Sequence, residues 1–587
     1  VLLLAVSLGA QQRGGNLYGK VVDTEGTPLP GVTITITSPY FAPMTAVSSA
    51  EGTFRFLSLP PGKDYSVKLE LTGFKTVVQT GIIIEIGANA NMTFTMEPGG
   101  LEEEVTVVAL TPIVDTKKVS VGQNVTQDVL QGLPTARDPW VILQMAPSVI
   151  VDRENVGGNE SGQQSSYVAR GANTYNNNVW AMDGIVITDP AAIGASPSYY
   201  DFDAFEEMQI SVGGNDVTVQ TGGIALNMVT RRGSNRVTFG GRFYLTDQKF
   251  QSLHTKEVAE IKARENPNNL STLFQGINVI RNTKDYGFNV GFPILKDKAW
   301  AWFSYGIQDI KTNTIYGTPD DTMLENYVGK INVQPIQSNR LEIFYHSGAK
   351  KKWGRSATSS NPEGLYQAGR FYFGSPILKI QDEQMFGNNL FVSLKFSYSD
   401  SGFSLTPMTD LKFEKIPIWD VTANRYYESQ SSRYYVERPV MQYNLLAQYF
   451  NDNLLGASHE IKFGVDFSKR KQYVESVWSG NMTVSRNYRP TDTIWDRNGD
   501  GIPDALSTFP SADQSKIRYF EYWRGYYRDQ RVDAVGTYFS DTITFNKNTF
   551  QYLFDNPTLN NILTDTLKLV TRDAVTGCTD STFRTLT

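Results

Sequence analysis

The feature that most constrains this chain is a set of long segments after Asn235 in which two chemically different faces alternate residue by residue. From Tyr327 to Val333, Tyr327, Gly329, Ile331 and Val333 share one face, while Val328, Lys330, Asn332 and Gln334 share the other. Leu390, Val392, Leu394, Phe396 and Tyr398 likewise stand opposite Ser393, Lys395, Ser397 and Ser399. Ile461, Phe463, Val465 and Phe467 oppose Lys462, Gly464, Asp466 and Ser468. A period of two is the signature of a strand with unlike environments on its two sides. Soluble sandwiches and propellers also alternate, but these segments run beyond about ten residues and carry Lys, Asp, Gln and Asn on the polar face. An apolar exterior around a wet lumen needs that pattern. Short turns such as Lys296-Asp297-Lys298 and Ser338-Asn339 join some pairs, and long polar stretches such as 348–374 separate others. Trp300, Trp302, Tyr305, Tyr345 and Tyr449 lie near strand ends and are predicted to form interfacial girdles.

Composition narrows the function classes. The 587 residues are too many for one compact core. The net charge is −6, which argues against a nucleic-acid partner. With Gly 49, Tyr 30 and Phe 32, the chain suits many strands and turns. A single cysteine, Cys578, excludes a disulfide framework within the chain. His254, His346 and His459 fall in separate segments without ligand spacing, so a histidine-centred active site is not expected, and no phosphate-cradling glycine loop is found. Residues 1–12, VLLLAVSLGAQQ, read as the remnant of a secretory signal.

Residues 15–98 read as a β-sandwich. Val32, Ile34 and Ile36 alternate with threonines, and turns fall at Glu25-Gly26, Glu51-Gly52 and Pro61-Gly62. Gly19 to Asp23, Pro28 to Val32, Gly52 to Phe54 and Pro61 to Tyr65 together resemble the pattern of the carboxypeptidase-regulatory-like domain, which implies no catalysis.

Between Thr111 and Arg232 the composition shifts towards Gly, Asn and Gln. Trp140, Leu143, Gln144 and Pro147 predict a short helix stopped by proline. Val179 to Met182 and Ile185 to Ile187 flank Asp183-Gly184 as a tight hairpin requires. The ordered set of Arg170-Gly171, Asp183-Gly184 and the exit Thr230 to Asn235 resembles the plug domain of TonB-dependent outer-membrane receptors, in particular the Oar-like branch that carries the regulatory-like domain in front. Asp183 and Asp189 are expected to cap turns rather than act as an acid/base pair.

The resemblance implies an all-β chain: an N-terminal sandwich, a linker at 99–112, a plug at 113–233, and at 234–587 part of a transmembrane antiparallel barrel. About 22 strands close such a plugged barrel. Roughly ten strands can be counted here, so the natural protein is expected to extend beyond Thr587. The resemblance further implies a receptor in the outer membrane of a Gram-negative bacterium, in contact with its lipid. It would import an extracellular ligand, a peptide or a glycan, using TonB and its inner-membrane complex, with room for a surface lipoprotein partner. A non-transporting adhesin or structural surface protein is the alternative. Receptors of this kind carry a TonB box before the plug. Glu102, Glu103, Glu104, Val105, Thr106, Val107, Val108 and Ala109 match it by position and by strand propensity, while a last strand of the sandwich is the competing reading. Finally, Asp496, Asn498, Asp500, the Ile502 carbonyl and Asp504 surround Gly501 as hard oxygen ligands of a calcium loop in an outer segment do, although Ser507 stands where an EF-hand has glutamate. No other cofactor is expected.

Overall fold

The computed structural model describes residues 14–99, 104–108, 121–133, 137–151, 167–169, 172–173, 178–191, 196, 198–215, 218–219, 221, 223–250, 279–313, 318–358, 361, 363–371, 374–420, 425–429, 432–454, 456–479, 482–486, 517–522 and 525–545. Eight strands come first: β1 Gly15–Val22, β2 Thr33–Ser38, β3 Phe41–Val47, β4 Thr53–Leu59, β5 Gly62–Glu70, β6 Thr76–Ile84, β7 Asn89–Thr95 and β8 Glu104–Val108. They form two sheets, ordered β4-β1-β7 and β3-β2-β5-β6-β8. The alternation seen in the sequence is realised in β2, where Ile34 and Ile36 are fully buried and join Leu17, Val67, Leu69 and Phe94 in one core.

The next unit is a five-stranded sheet whose middle strand, Ile224–Thr230, lies parallel to Asn178–Met182 on one side and antiparallel to Phe205–Gly213 on the other. Every residue of Ile224–Thr230 is buried, because this sheet is covered on both faces. The expected short helix is a 3-10 turn, Val141–Met145, followed by Pro147.

Ten long strands then pair antiparallel, each with the next: Thr238–Asp247, Val279–Leu295, Ala299–Asn313, Pro319–Ile336, Asn339–Arg355, Ser375–Phe386, Leu390–Asp400, Pro439–Leu454, Ala457–Val477 and Tyr526–Phe545. The two faces are those read from the sequence. Val328, Lys330, Asn332 and Gln334 are buried on the inner face, Gln334 accepting from Ala42 N of the sandwich, while Ile331, Ile343, Leu394 and Phe463 are exposed on the outside. Beyond the long-connection ends, Leu365–Gly369, Phe403–Pro407 and Arg433–Glu437 pair with one another and extend the wall.

Two expectations need correction. Trp300 and Trp302 face inward and are buried, because they share parity with Ser304 and not with Phe303 and Tyr305. Trp300 joins the sandwich core, and Trp302 joins the plug core together with Val328, Phe344 and Ile377 of the wall. Tyr345 and Tyr449 do face outward. Where the plug touches the wall, the lumen is therefore not uniformly wet but locally a packed hydrophobic interior.

Candidate functional site

The site is a hairpin of the plug seated on the barrel wall. Asn178–Met182 turns back into Ile185–Val186 through Asp183 and Gly184, both in left-handed backbone with φ of 48° and 72°. Paired positive φ values are the geometry of a two-residue turn that matches strand twist, and Asp-Gly tolerates it. The tip of this hairpin points at cationic wall residues. Lys330 Nζ lies 2.7 Å from Asp183 Oδ1 and donates to the Thr230 carbonyl at 2.8 Å. Thr230 Oγ1 donates to Asp183 Oδ2 at 2.5 Å, so the carboxylate is held by both its own domain and the wall. Lys379 donates to the Asp183 carbonyl at 2.8 Å, and Lys395 donates to the Gly184 carbonyl. Gln442 donates to the Val186 carbonyl at 2.7 Å, and Arg438 pairs with the buried Asp189.

These residues come from four of five consecutive wall strands, Asn339–Arg355 lying between the first two, and from the residue that precedes Pro439–Leu454. They reach the turn because each strand contributes its inward parity. Glu342 ties the same group to the plug's exit, meeting Lys379 at 2.6 Å and Arg232 at 3.1 Å. Gly233 follows, and a Cβ there would strike the Ala301 carbonyl, so the exit lies flat against the wall. A second ionic group fixes the other side of the plug. Arg137 bridges Asp203 at 2.6 Å and Asp285 at 2.8 Å, and Arg242 reaches Asp201 at 2.7 Å and Asp285 at 2.8 Å. Burial raises the Asp201 carboxyl, and Arg242 opposes that shift.

The plug also grips the sandwich. Ile86 N donates to the Glu207 carboxylate at 3.1 Å, and the Ile86 carbonyl accepts from Gln209 and Asn124, each at 2.9 Å. Burial pushes the Glu207 carboxyl up to about 8, with the Ile86 N–H pulling the other way and Glu85 and Glu206 adding to the rise.

Of the residues singled out from sequence, Asp183, Gly184 and Asp189 enter this site, with Asp183 and Asp189 paired to wall cations. Arg170 and Gly171 lie outside the described residues, as do Asp496, Asn498, Asp500, Ile502 and Asp504, and also Glu102, Glu103 and Ala109. Glu104–Val108 is β8, paired in parallel with β6 from Thr76↔Glu104 to Thr80↔Val108 at the edge of the sandwich sheet. Lys330, Lys379, Lys395, Arg438 and Glu342 were not anticipated as site residues. Their only mark in the sequence is a charge on the inward parity of a long strand, which does not name its partner. His346 and His459 both sit on wall strands, His346 buried with its ring 5.5 Å from that of Tyr200, and His459 against Asp541 at 2.7 Å. Among the described residues no cluster of three metal-ligating side chains occurs.

A globular domain held by ion pairs within a wall whose outer face is apolar defines a plugged outer-membrane β-barrel. Comparison with known proteins agrees. Residues 16–97 match the carboxypeptidase regulatory-like domain family. The chain is 29% identical over 307 residues to the TonB-dependent transporter Oar of Myxococcus xanthus, a stretch covering 50% of this chain and 26% of Oar. It is therefore a homologue of that transporter across half its length, and the match spans about a quarter of the relative. The outer membrane transporter YddB of Escherichia coli shares the fold, with a TM-score of 0.51 at 12% identity, covering 72% of this chain and 55% of YddB. The fold is that of TonB-dependent receptors and the location is the outer membrane; the homology is to transporters rather than to enzymes.

Two outcomes follow from the site. Lys330→Met strands the Asp183 charge and is expected to destabilise the seated plug by about 3–5 kcal/mol, whereas Lys330→Met combined with Asp183→Asn recovers most of that loss. Urea unfolding of the plug in detergent-solubilised protein checks this, and equal losses in the single and double variants would contradict it. Because the folded-state Glu207 carboxyl is raised, its contribution to the sandwich–plug joint is fullest below the ordinary value of 4.5 and is lost as pH rises through about 8. Glu207→Gln should flatten that dependence, read as hydrogen exchange at Ile86 across the same pH range.

Proposed function

We propose that this chain is part of an Oar-like TonB-dependent receptor that binds an extracellular ligand and imports it, energised by the inner-membrane TonB complex. The observation that carries the reading is the Asp183-Gly184 hairpin, locked inside the wall by Lys330, Lys379 and Lys395. A plug held by a few buried charges is closed at rest and releases as a unit once those pairs are broken, because such contacts are made or lost in discrete steps. A peptide or glycan ligand would be received by the long outer connections, whose described parts hold aromatic groups such as Trp419 and Tyr426, with ring centroids 4.6 Å apart. A surface lipoprotein partner is compatible with that side.

The segment Glu102 to Ala109 is proposed as the TonB box. Its described part, β8, is the last strand of its sheet and pairs on one side with β6, so its other backbone edge suits strand addition by a partner. Val107→Pro removes an N–H from that segment. Purified periplasmic domain of TonB should capture the parent protein and lose the variant by at least an order of magnitude; equal capture would remove the assignment. The adhesin reading would gain if deletion of the TonB system left ligand uptake unchanged.

A calcium ion is proposed at Asp496, Asn498, Asp500, the Ile502 carbonyl and Asp504, where it would stabilise an outer connection. Calcium titration followed by thermal shift should show stabilisation that Asp500→Ala abolishes, and no response at millimolar calcium would remove the site.

A further inference from the structure

The sandwich is docked on the barrel. Strand β4 alternates Phe54 and Phe56, which pack edge to face at 5.9 Å within the sandwich core, with Thr53, Arg55 and Leu57, which point the other way. That second face meets the barrel's short turns. Thr53 Oγ1 donates to Asp452 at 2.8 Å, and Arg55 pairs with the same carboxylate while lying 4.7 Å over the Phe450 ring. Leu57 is buried in a small cluster of its own with Phe391 and Phe450 of the wall. Its carbonyl accepts from Arg340 at 2.9 Å, and Ser58 donates to Glu383 at 2.9 Å. Neighbouring strands add Thr45 to Gln337 at 3.2 Å and Asn388 to the Val47 carbonyl at 2.9 Å. An apolar knob ringed by an ion pair and hydrogen bonds has the anatomy of a specific interface.

The place it covers matters. Between sandwich, plug and wall remains a cavity of about 40 Å³ whose lining includes Tyr40 and Pro60 of the sandwich, Asp183 and Arg232 of the plug, and Lys330 and Glu342 of the wall. The sandwich thus supplies the third side of the latch. With it seated, Lys330 and Asp183 are both buried, at 2% and 1% exposure. Once it leaves, the same charges face a high dielectric in which an ion pair contributes far less.

We propose that the outer face of β4 is a docking surface whose partner is the short-turn rim of this chain's own barrel, and that the docked sandwich keeps the plug latch shut. This goes beyond the transport reading and needs only the fold.

The test uses full-length protein in detergent. Thr53→Cys with Asp452→Cys, joined by a short bifunctional thiol reagent, reports docking, and hydrogen exchange of residues 178–187 reports the latch. The parent for this test, the Thr53→Cys/Asp452→Cys protein with Cys578→Ser, should cross-link. Leu57→Asp should abolish cross-linking and speed exchange of the hairpin about tenfold or more. Cross-linking that fails in the parent or persists in Leu57→Asp overturns the seam. Loss of cross-linking with unchanged exchange overturns the link to the latch. Should Leu57→Asp fail to fold, the cross-linked parent must exchange the hairpin more slowly in mild urea than the uncross-linked parent, and equal rates overturn the proposal.

Discussion

The structure depends on one buried charge pair. The Asp183 carboxylate sits at a turn, inside a wall, where water cannot satisfy it, and Lys330 is the wall cation that compensates it. Neither charge is tolerable alone in that environment, so the plug is either seated with both matched or displaced with both hydrated. Lys379, Lys395 and Gln442 extend the arrangement along the hairpin backbone, and Glu342 links it to the plug's exit through Arg232. Hydrophobic contacts of Trp302, Val328, Phe344 and Ile377 with the plug core add buried area to the same junction.

Much of this architecture is legible in the amino-acid order, and the reason is periodicity. A strand between lipid and lumen must alternate, so Tyr327 to Val333 and Ile461 to Phe467 declare both their conformation and their two environments. The tight hairpin at Asp183-Gly184 is equally local, because few residue pairs accept two positive φ values. Trp300 and Trp302 show where local reading stops. Tryptophan near a strand end suits a membrane interface, yet parity places both inside, in the cores of two different domains. Composition named a residue type, and only the register decided its side.

The latch was not legible for a related reason. Lys330, Lys379 and Lys395 look like solvated lumen residues, and nothing along the chain says that a turn 147 residues away from Lys330 completes it. The segment Glu102 to Ala109 illustrates the same limit. Its valines specify a strand, but whether that strand pairs with β6, with another protein, or with each on its two edges is a property of partners and not of sequence.

Residues of the sandwich, the plug and the wall line one small space of about 40 Å³ beside the Asp183 turn. Held at Asp183, the plug is expected to seal the barrel. The most direct measurement is conductance of the full-length protein in a planar lipid bilayer, before and after the plug contacts are weakened with urea. Negligible conductance is expected at rest and discrete open steps once the contacts are weakened; free conduction with the plug in place would overturn this.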